Sequence, residues 1–247
     1  MNTAIILAAG IGSRLRPHTE HRPKCLVEVA GQTFLDRLLD ELGAWAERIV
    51  IVSGHGHSAL VDHLRSHPLA EKIRVVHNEA YAQTNSLASA GLTLDLWEPE
   101  VEIVVTNSDV VFRRGALESV LRSTLPVTAL VVEKPWDEED MKVEVDPVAN
   151  TIRHVSKAIP PERTFGEFTG LVKVRGDGIH AMRFAIAEML ADESVRRTAW
   201  YDLALNKMIE RGHAIGYAVI PQGWYVEVDT LDDLRRLEGR PDLVDSK

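Results

Sequence analysis

The residues best suited to chemistry stand near the start of the chain. A short apolar run, Thr3 to Leu7, leads into Leu7-Ala8-Ala9-Gly10-Ile11-Gly12-Ser13-Arg14-Leu15-Arg16-Pro17. Small residues let a backbone come close to a ligand and aim its N–H groups at phosphate oxygens. Arg14 and Arg16 lie inside this loop, and Lys24 follows Pro23. Three cations around exposed amides suit a polyphosphate. A tight turn with solvated arginines has the same composition. Two other loops are excluded: the P-loop needs a Gly-Lys-Ser/Thr end that is absent, and the dinucleotide fingerprint needs a small residue where Leu15 stands. No Ser/His/Asp or Cys/His pairing is evident. His55-Gly56-His57 reads as a solvated loop, and Cys25, the only cysteine, as a packed small residue.

These groups must be held by a scaffold, and its outline is in the hydrophobic pattern. Thr3 to Leu7, Ile49 to Val52, Ile73 to Val76, Ile103 to Thr106 and Val127 to Val132 are short runs rich in Val and Ile. Runs without alternation predict strands buried on both faces, hence a parallel sheet. Helical spacing lies between them, at Phe34 to Trp45, Ala59 to Leu64, Leu87 to Leu96 and Leu117 to Leu121. Alternating strand and helix predicts an α/β fold with a doubly wound, mostly parallel, Rossmann-like sheet. After Pro135 the pattern alternates more, at Lys142 to Val145, Thr151 to Val155 and Phe168 to Val174, which predicts a small antiparallel insertion on the substrate side. Helices over Ile179 to Leu190 and Tyr201 to Arg211 follow. Ala214 to Ile220 and Tyr225 to Val228 read as strands, and a closing helix starts at Leu231. The expectation is one domain, 1–247, with a nucleotide-binding half at 1–134 and an acceptor-binding half at 135–247.

Composition narrows the function. The chain has 247 residues, 45% of them hydrophobic, enough for a core without staples. Its net charge of −9 argues against non-specific nucleic-acid binding, which rests on phosphate neutralisation. No run approaches the ~20 apolar residues of a spanning helix, and the start lacks the positive region of a signal peptide. A single cysteine suits a reducing compartment. The reading is a cytoplasmic protein without membrane insertion; a homodimer stays open.

The loop, together with Arg22-Pro23-Lys24-Cys25-Leu26-Val27-Glu28-Val29, resembles the signature of the nucleotide-sugar pyrophosphorylase superfamily of nucleotidyltransferases. Asn107-Ser108-Asp109-Val110 resembles its metal-binding aspartate. Gly166-Glu167-Phe168-Thr169-Gly170 resembles its substrate-side Gly-Glu-x-x-Gly, and Glu227-Val228-Asp229 its second metal aspartate. His77 to Ser89, with Asn78-Glu79-x-Tyr81, Asn85 and Ser86-Leu87, is similar to the bacterial CTP:phosphocholine cytidylyltransferases, as is Trp200-Tyr201-Asp202. Cytidylyltransferases for aminoethylphosphonate, hydroxymethylphosphonate or inositol phosphate share much of this. The resemblance implies a GT-A-like nucleotidyltransferase fold, CTP as donor, Mg²⁺ as cofactor, and a small phosphorylated or phosphonate acceptor, phosphocholine first. A sugar 1-phosphate acceptor and a non-catalytic nucleotide-binding module are the competing readings.

The residues support a coherent reaction. An acceptor phosphate oxygen would attack the α-phosphorus of the nucleotide, in chemistry that is mainly positioning and charge neutralisation. A phosphate monoester is already a dianion near neutrality, so no general base is needed. Asp109 and Asp229, at strand ends, can hold Mg²⁺; a helix-cap role competes at each. Lys24 would bridge the α-phosphate and the incoming phosphate. Arg14 would hold the β- and γ-phosphates. Both are expected to act on phosphates and not on stability. Leu7, Ala8, Ala9, Gly10, Gly12 and Ser13 would line the nucleotide, and Gln83, Asn85 and Ser86 are candidates for reading the base. Lys142 and Lys157 are candidates for the acceptor phosphate, and Glu167 for another acceptor contact. A quaternary ammonium cannot donate an N–H hydrogen bond, so rings and acids must hold it. Trp136, the acids Asp137 to Asp140, Trp200 and Tyr201 are the candidates for that cage.

Overall fold

The computed structural model describes residues 1–98 and 101–244. Thirteen strands and nine helices occur among them. The first strand, β1 (Asn2–Ala8), shows why an unbroken apolar run becomes a central strand. Alternate side chains leave opposite faces, so Ile5 and Leu7 enter one core and Ala4, Ile6 and Ala8 the other. After the hairpin strands β2 (Glu28–Val29) and β3 (Gln32–Thr33) come β4 (Arg48–Ser53), β5 (Ile73–His77) and β6 (Glu102–Asn107). Strands β4 and β6 divide between the two cores as β1 does.

Strand β7 (Val110–Phe112) follows, then β8 (Val127–Val132), β9 (Lys142–Asp146), β10 (Thr151–Ser156), β11 (Gly166–Arg175), β12 (Gly216–Ile220) and β13 (Tyr225–Glu227). The main sheet has nine strands. Its path runs β10-β9-β11-β6-β1-β4-β5, with β8 between β11 and β12. Strands β5, β4, β1 and β6 are mutually parallel, and β12 is parallel to β8. Strand β11 is antiparallel to β6, β8 and β9.

Val127 to Val132 is parallel to β12 and antiparallel to β11, because burial on both faces encodes a central position and not a strand direction. The antiparallel strands β9, β10 and β11 belong to this same sheet, with β11 between β6 and β8, so strands from both sides of 134/135 share it.

Helices cover both faces. Helix α1 (Phe34–Leu42), with a Thr33/Asp36 capping box, and α2 (His57–Arg65) pack on one side. Helices α3 (Ser86–Gly91), α5 (Asp177–Ala191) and α7 (Leu203–Glu210) pack on the other. The short α4 (Glu118–Leu121) and α6 (Glu193–Thr198) complete the connections, α6 unforeseen in the hydrophobic pattern. Helices α8 (Leu231–Glu238) and α9 (Pro241–Val244) close the chain over a third cluster containing Leu15, Phe34, Val111 and Val228. Among the described residues no helix is long and apolar enough to cross a membrane.

Candidate active site

From β1 the chain winds outward to β4 and β5, then returns to place β6 on the other side of β1. The winding therefore reverses between β1 and β6, and a crevice opens beyond their C-terminal ends. The glycine loop leaves β1 there, and Ser108-Asp109 leaves β6. Strand β13 pairs antiparallel with β7, opposing Glu227 to Val110, and the Val228 amide donates to the Asp109 carbonyl at 2.9 Å. That short ladder sets Asp229 beside Asp109 across some 120 residues of chain.

The loop is pinned from below. Leu15 is fully buried in the third cluster, so the residue that breaks the dinucleotide fingerprint is an anchor. Gly12 has φ +63°, and a Cβ there would sit 3.1 Å from the Lys24 Cβ. Gly12 thus lets the loop fold over the Lys24 stem, and the Thr19 hydroxyl fastens it by donating to the Gly12 carbonyl at 2.7 Å.

Lys24 Nζ lies between two carboxylates, 2.7 Å from Asp109 Oδ2 and 2.5 Å from Asp229 Oδ1. Arg14 reaches the other oxygen of Asp229 at 2.7 Å. Burial works to lower the Lys24 pKa, but Asp109 and Asp229 outweigh it and raise it. Burial likewise opposes ionisation of Asp229, yet Lys24 and Arg14 hold its carboxyl below the usual range. Glu227, two residues before Asp229 and so on the same side of the strand, completes a three-carboxylate group whose oxygens lie within 4.8 Å of one another. Burial first, then Asp109 and Asp229, pushes the Glu227 carboxyl well above its usual range. Asp109 Oδ1 is buried without a hydrogen-bond partner among the described residues. An all-oxygen donor set with one orphaned carboxylate oxygen fits a hard divalent cation such as Mg²⁺.

A cleft of about 280 Å³ extends from this group. Of the residues singled out in the sequence, Leu7, Ala8, Ala9, Gly10, Arg14, Lys24, Asn85, Ser86, Asp109, Lys157, Trp200, Tyr201 and Asp229 line it. Asn85 and Ser86 are already engaged there: Asn85 caps α3, and Ser86 Oγ accepts the Tyr201 amide at 3.0 Å. Tyr201 is 1% exposed, and its hydroxyl donates to the Gly170 carbonyl at 2.7 Å, so it forms wall more than cage.

The cleft excludes Arg16, the third cation expected for the polyphosphate, which is exposed, and six others. Gly12 and Ser13 shape the loop from outside the lining, and Gln83 is exposed beyond it. Trp136 donates from Nε1 to the Ile159 carbonyl at 3.1 Å. Lys142 is buried, with its Nζ bound to the Glu138, Asp140 and Lys157 carbonyls; three neutral acceptors make it a structural brace and leave no donor for a phosphate. Glu167 is buried against Lys134 at 3.1 Å and the Tyr225 hydroxyl at 3.3 Å. Burial, then Asp140, pushes its carboxyl up to about 7. Of the acids after Trp136, Glu139 alone reaches the cleft.

Sequence reasoning missed Glu227, Asp202 and Asn78 as site residues. The i, i+2 spacing in Glu227-Val228-Asp229 was the available signal for the first. Asp202, buried in the cleft wall with its carboxyl pushed up to about 7 by that burial, had only its place in the Trp200-Tyr201-Asp202 cluster. Asn78 Nδ2 donates to Ser89 and Thr84 oxygens, and knits the wall opposite.

The family profile of the MobA-like NTP transferase domain matches residues 4–198. The chain belongs to that family. Two relatives by sequence are a CMP-5'-(3-aminopropyl)phosphonate synthase of Streptomyces rubellomurinus, 28% identical over 96% of this chain, and a CTP:phosphoglutamine cytidylyltransferase of Campylobacter jejuni, 28% identical over 54%. The chain spans 38% of the length of the first and 53% of the second. The solved CTP:phosphocholine cytidylyltransferase of Streptococcus pneumoniae superimposes with a TM-score of 0.81 at 21% identity, over 96% of this chain and 98% of that one. This last likeness concerns the fold, a nucleotidyltransferase α/β fold with a Rossmann-like sheet.

Proposed function

We propose that this nucleotidyltransferase domain transfers CMP from CTP to a small acceptor bearing a phosphate or phosphonate and a cationic group, phosphocholine first, and releases pyrophosphate. The observation that carries the proposal is the Lys24 ammonium held between Asp109 and Asp229 at the mouth of a small-residue loop. Asp109 and Asp229 would hold Mg²⁺, with Glu227 beside them. Bound there, Mg²⁺ would neutralise phosphate charge and polarise the α-phosphorus.

The protein's own groups account for the rest. Loop amides from Ala9 to Gly12 cradle the triphosphate, with Gly10 exposed and free of side-chain bulk. Arg14 sits where it can turn from Asp229 to the departing pyrophosphate. Lys24, released from its two carboxylates, bridges the α-phosphate and the incoming oxygen. An acceptor oxygen bonds to the α-phosphorus as the bond to pyrophosphate breaks, and a dianionic acceptor gives up no proton to the enzyme. CTP as donor and a cationic acceptor are favoured by the relatives named above and by Trp200 and Glu139 in the cleft.

Pyrophosphate release across four NTPs, each with phosphocholine, 2-aminoethylphosphonate, inositol phosphate and glucose 1-phosphate, tests this. CTP with a cationic acceptor should lead, and Asp109→Asn or Asp229→Asn should abolish it. A neutral sugar phosphate outperforming every cationic acceptor would remove the acceptor assignment; pyrophosphate released at wild-type rates by either aspartate variant would remove the site.

A further inference from the structure

Among the described residues three tryptophans carry a lysine over the ring, and the Trp136 and Trp200 pairs differ in whether the lysine can leave. Lys142 Nζ stands 4.8 Å from the Trp136 ring centroid. It is buried and donates to three backbone carbonyls at 2.8, 3.3 and 2.7 Å. Withdrawing it would strand buried acceptors, so that ring face is permanently filled.

Lys157 Nζ stands 5.6 Å from the Trp200 ring centroid. Its partner is Glu139 at 3.5 Å, with side chains 42% and 80% exposed respectively. An exposed pair of this kind is a weak restraint, and lysine's flexible stem lets the head group swing into water. The Lys157 backbone stays fixed, because its carbonyl accepts from Lys142. Trp200, Glu139 and Lys157 all face the cleft that contains Lys24 and Asp229. An aromatic face, a carboxylate and a removable ammonium therefore meet at one point of its wall.

We propose that Lys157 is a resident stand-in for a substrate cation: its ammonium fills the Trp200–Glu139 subsite in the empty protein, and an acceptor's ammonium group displaces it. As a statement about acceptors this rests on the cationic-acceptor reading above. It reverses the role that sequence alone suggested, a ligand for the acceptor phosphate. It also makes Lys157 a filter. A neutral acceptor gains nothing by expelling the lysine, whereas a cation replaces the interaction it breaks. A subsite filled by its own lysine nine-tenths of the time binds an outside cation about tenfold more weakly than an open one.

The probe is tetramethylammonium chloride, a cation without a phosphate, titrated against sodium chloride at equal ionic strength. Its dissociation constant would be read by ligand-observed NMR in the wild type, Lys157→Met, Trp200→Leu and the double variant. Lys157→Met should bind the probe about tenfold more tightly, and the gain should vanish in the Trp200→Leu background. No gain, or an equal gain without Trp200, overturns the proposal, since the latter is what removal of any nearby positive charge would give. In parallel, Lys157→Met should lower the KM for phosphocholine; a raised KM would mark a phosphate ligand and overturn it too. If the wild type turns over no cationic acceptor while the cycle shows the coupling, the proposed acceptor falls and the subsite stands. Turnover of a cationic acceptor without the coupling keeps the acceptor and removes the subsite.

Discussion

Replacing Lys24 by methionine tests whether the site's charges hold one another in place. The lysine is 8% exposed and contacts two carboxylates, with Glu227 beside them. Removing one partner of a buried ion pair costs about 3–5 kcal/mol, because the remaining charge is left uncompensated. The Asp229 side chain is 35% exposed and keeps Arg14, so the lower end, about 3 kcal/mol, applies. For a domain of this size each kcal/mol shifts Tm by about 2–4 °C, so Lys24→Met should unfold about 6–12 °C below the wild type. The assay is thermal unfolding by circular dichroism at neutral pH with a chelator present. Mg²⁺ should then stabilise Lys24→Met more than the wild type, since the cation replaces the lost charge and need not displace it; saturation at a hundred times Kd is worth about 2.7 kcal/mol. A Tm within about 2 °C of the wild type in chelator would show that Lys24 is not structural. That result would restore the expectation, drawn from sequence, that it acts on phosphates alone.

Gly170 lies at φ +75°, and a Cβ there would come 2.6 Å from Asn107 Nδ2. Gly170→Ala should cost about 1–3 kcal/mol by chemical denaturation and lower kcat by about tenfold through the displaced Asn107–Asp109 segment; unchanged kcat would uncouple that segment from the chemistry. Trp136→Leu should lower stability by about 1–3 kcal/mol and leave the acceptor KM within about twofold, whereas a tenfold rise would return Trp136 to the acceptor site. Burial pushes the carboxyls of Asp202 and Glu167 up to about 7, so each takes up a proton on folding between its unfolded value near 4 and about 7. Their contribution is complete at low pH and is lost as pH rises through about 7, with a slope approaching about 1.4 kcal/mol per unit for each group. Asp202→Asn and Glu167→Gln should flatten urea unfolding midpoints between pH 5 and 8, and a wild-type midpoint that rises over that range contradicts the sign.

The parts of this protein that depend on neighbours in sequence were legible from it. Unbroken runs such as Ala4 to Leu7 could only be strands buried on both faces, and Phe34 to Leu42 only an amphipathic helix. The loop from Gly10 to Arg16 raised the expectation of a phosphate site because its small residues and its cations occur side by side. What depends on distant partners was not legible. That Val127 to Val132 pairs antiparallel with β11 and parallel with β12 was decided by strands much later in the chain. Trp136 looked like a ligand cage next to four acids. Its ring is in fact satisfied by Lys142, brought underneath by the turn between them. Glu167, inside a substrate-side motif, turned inward to Lys134 and Tyr225. Asp202 stood in the Trp200-Tyr201-Asp202 cluster, but its raised pKa was not legible, since a carboxyl acquires one only from the side chains that fold around it. Sequence lists which charges the chain owns; the β7–β13 ladder and the crevice between β1 and β6 determine which of them meet, because electrostatics acts through distance and burial, and both are set by the tertiary fold.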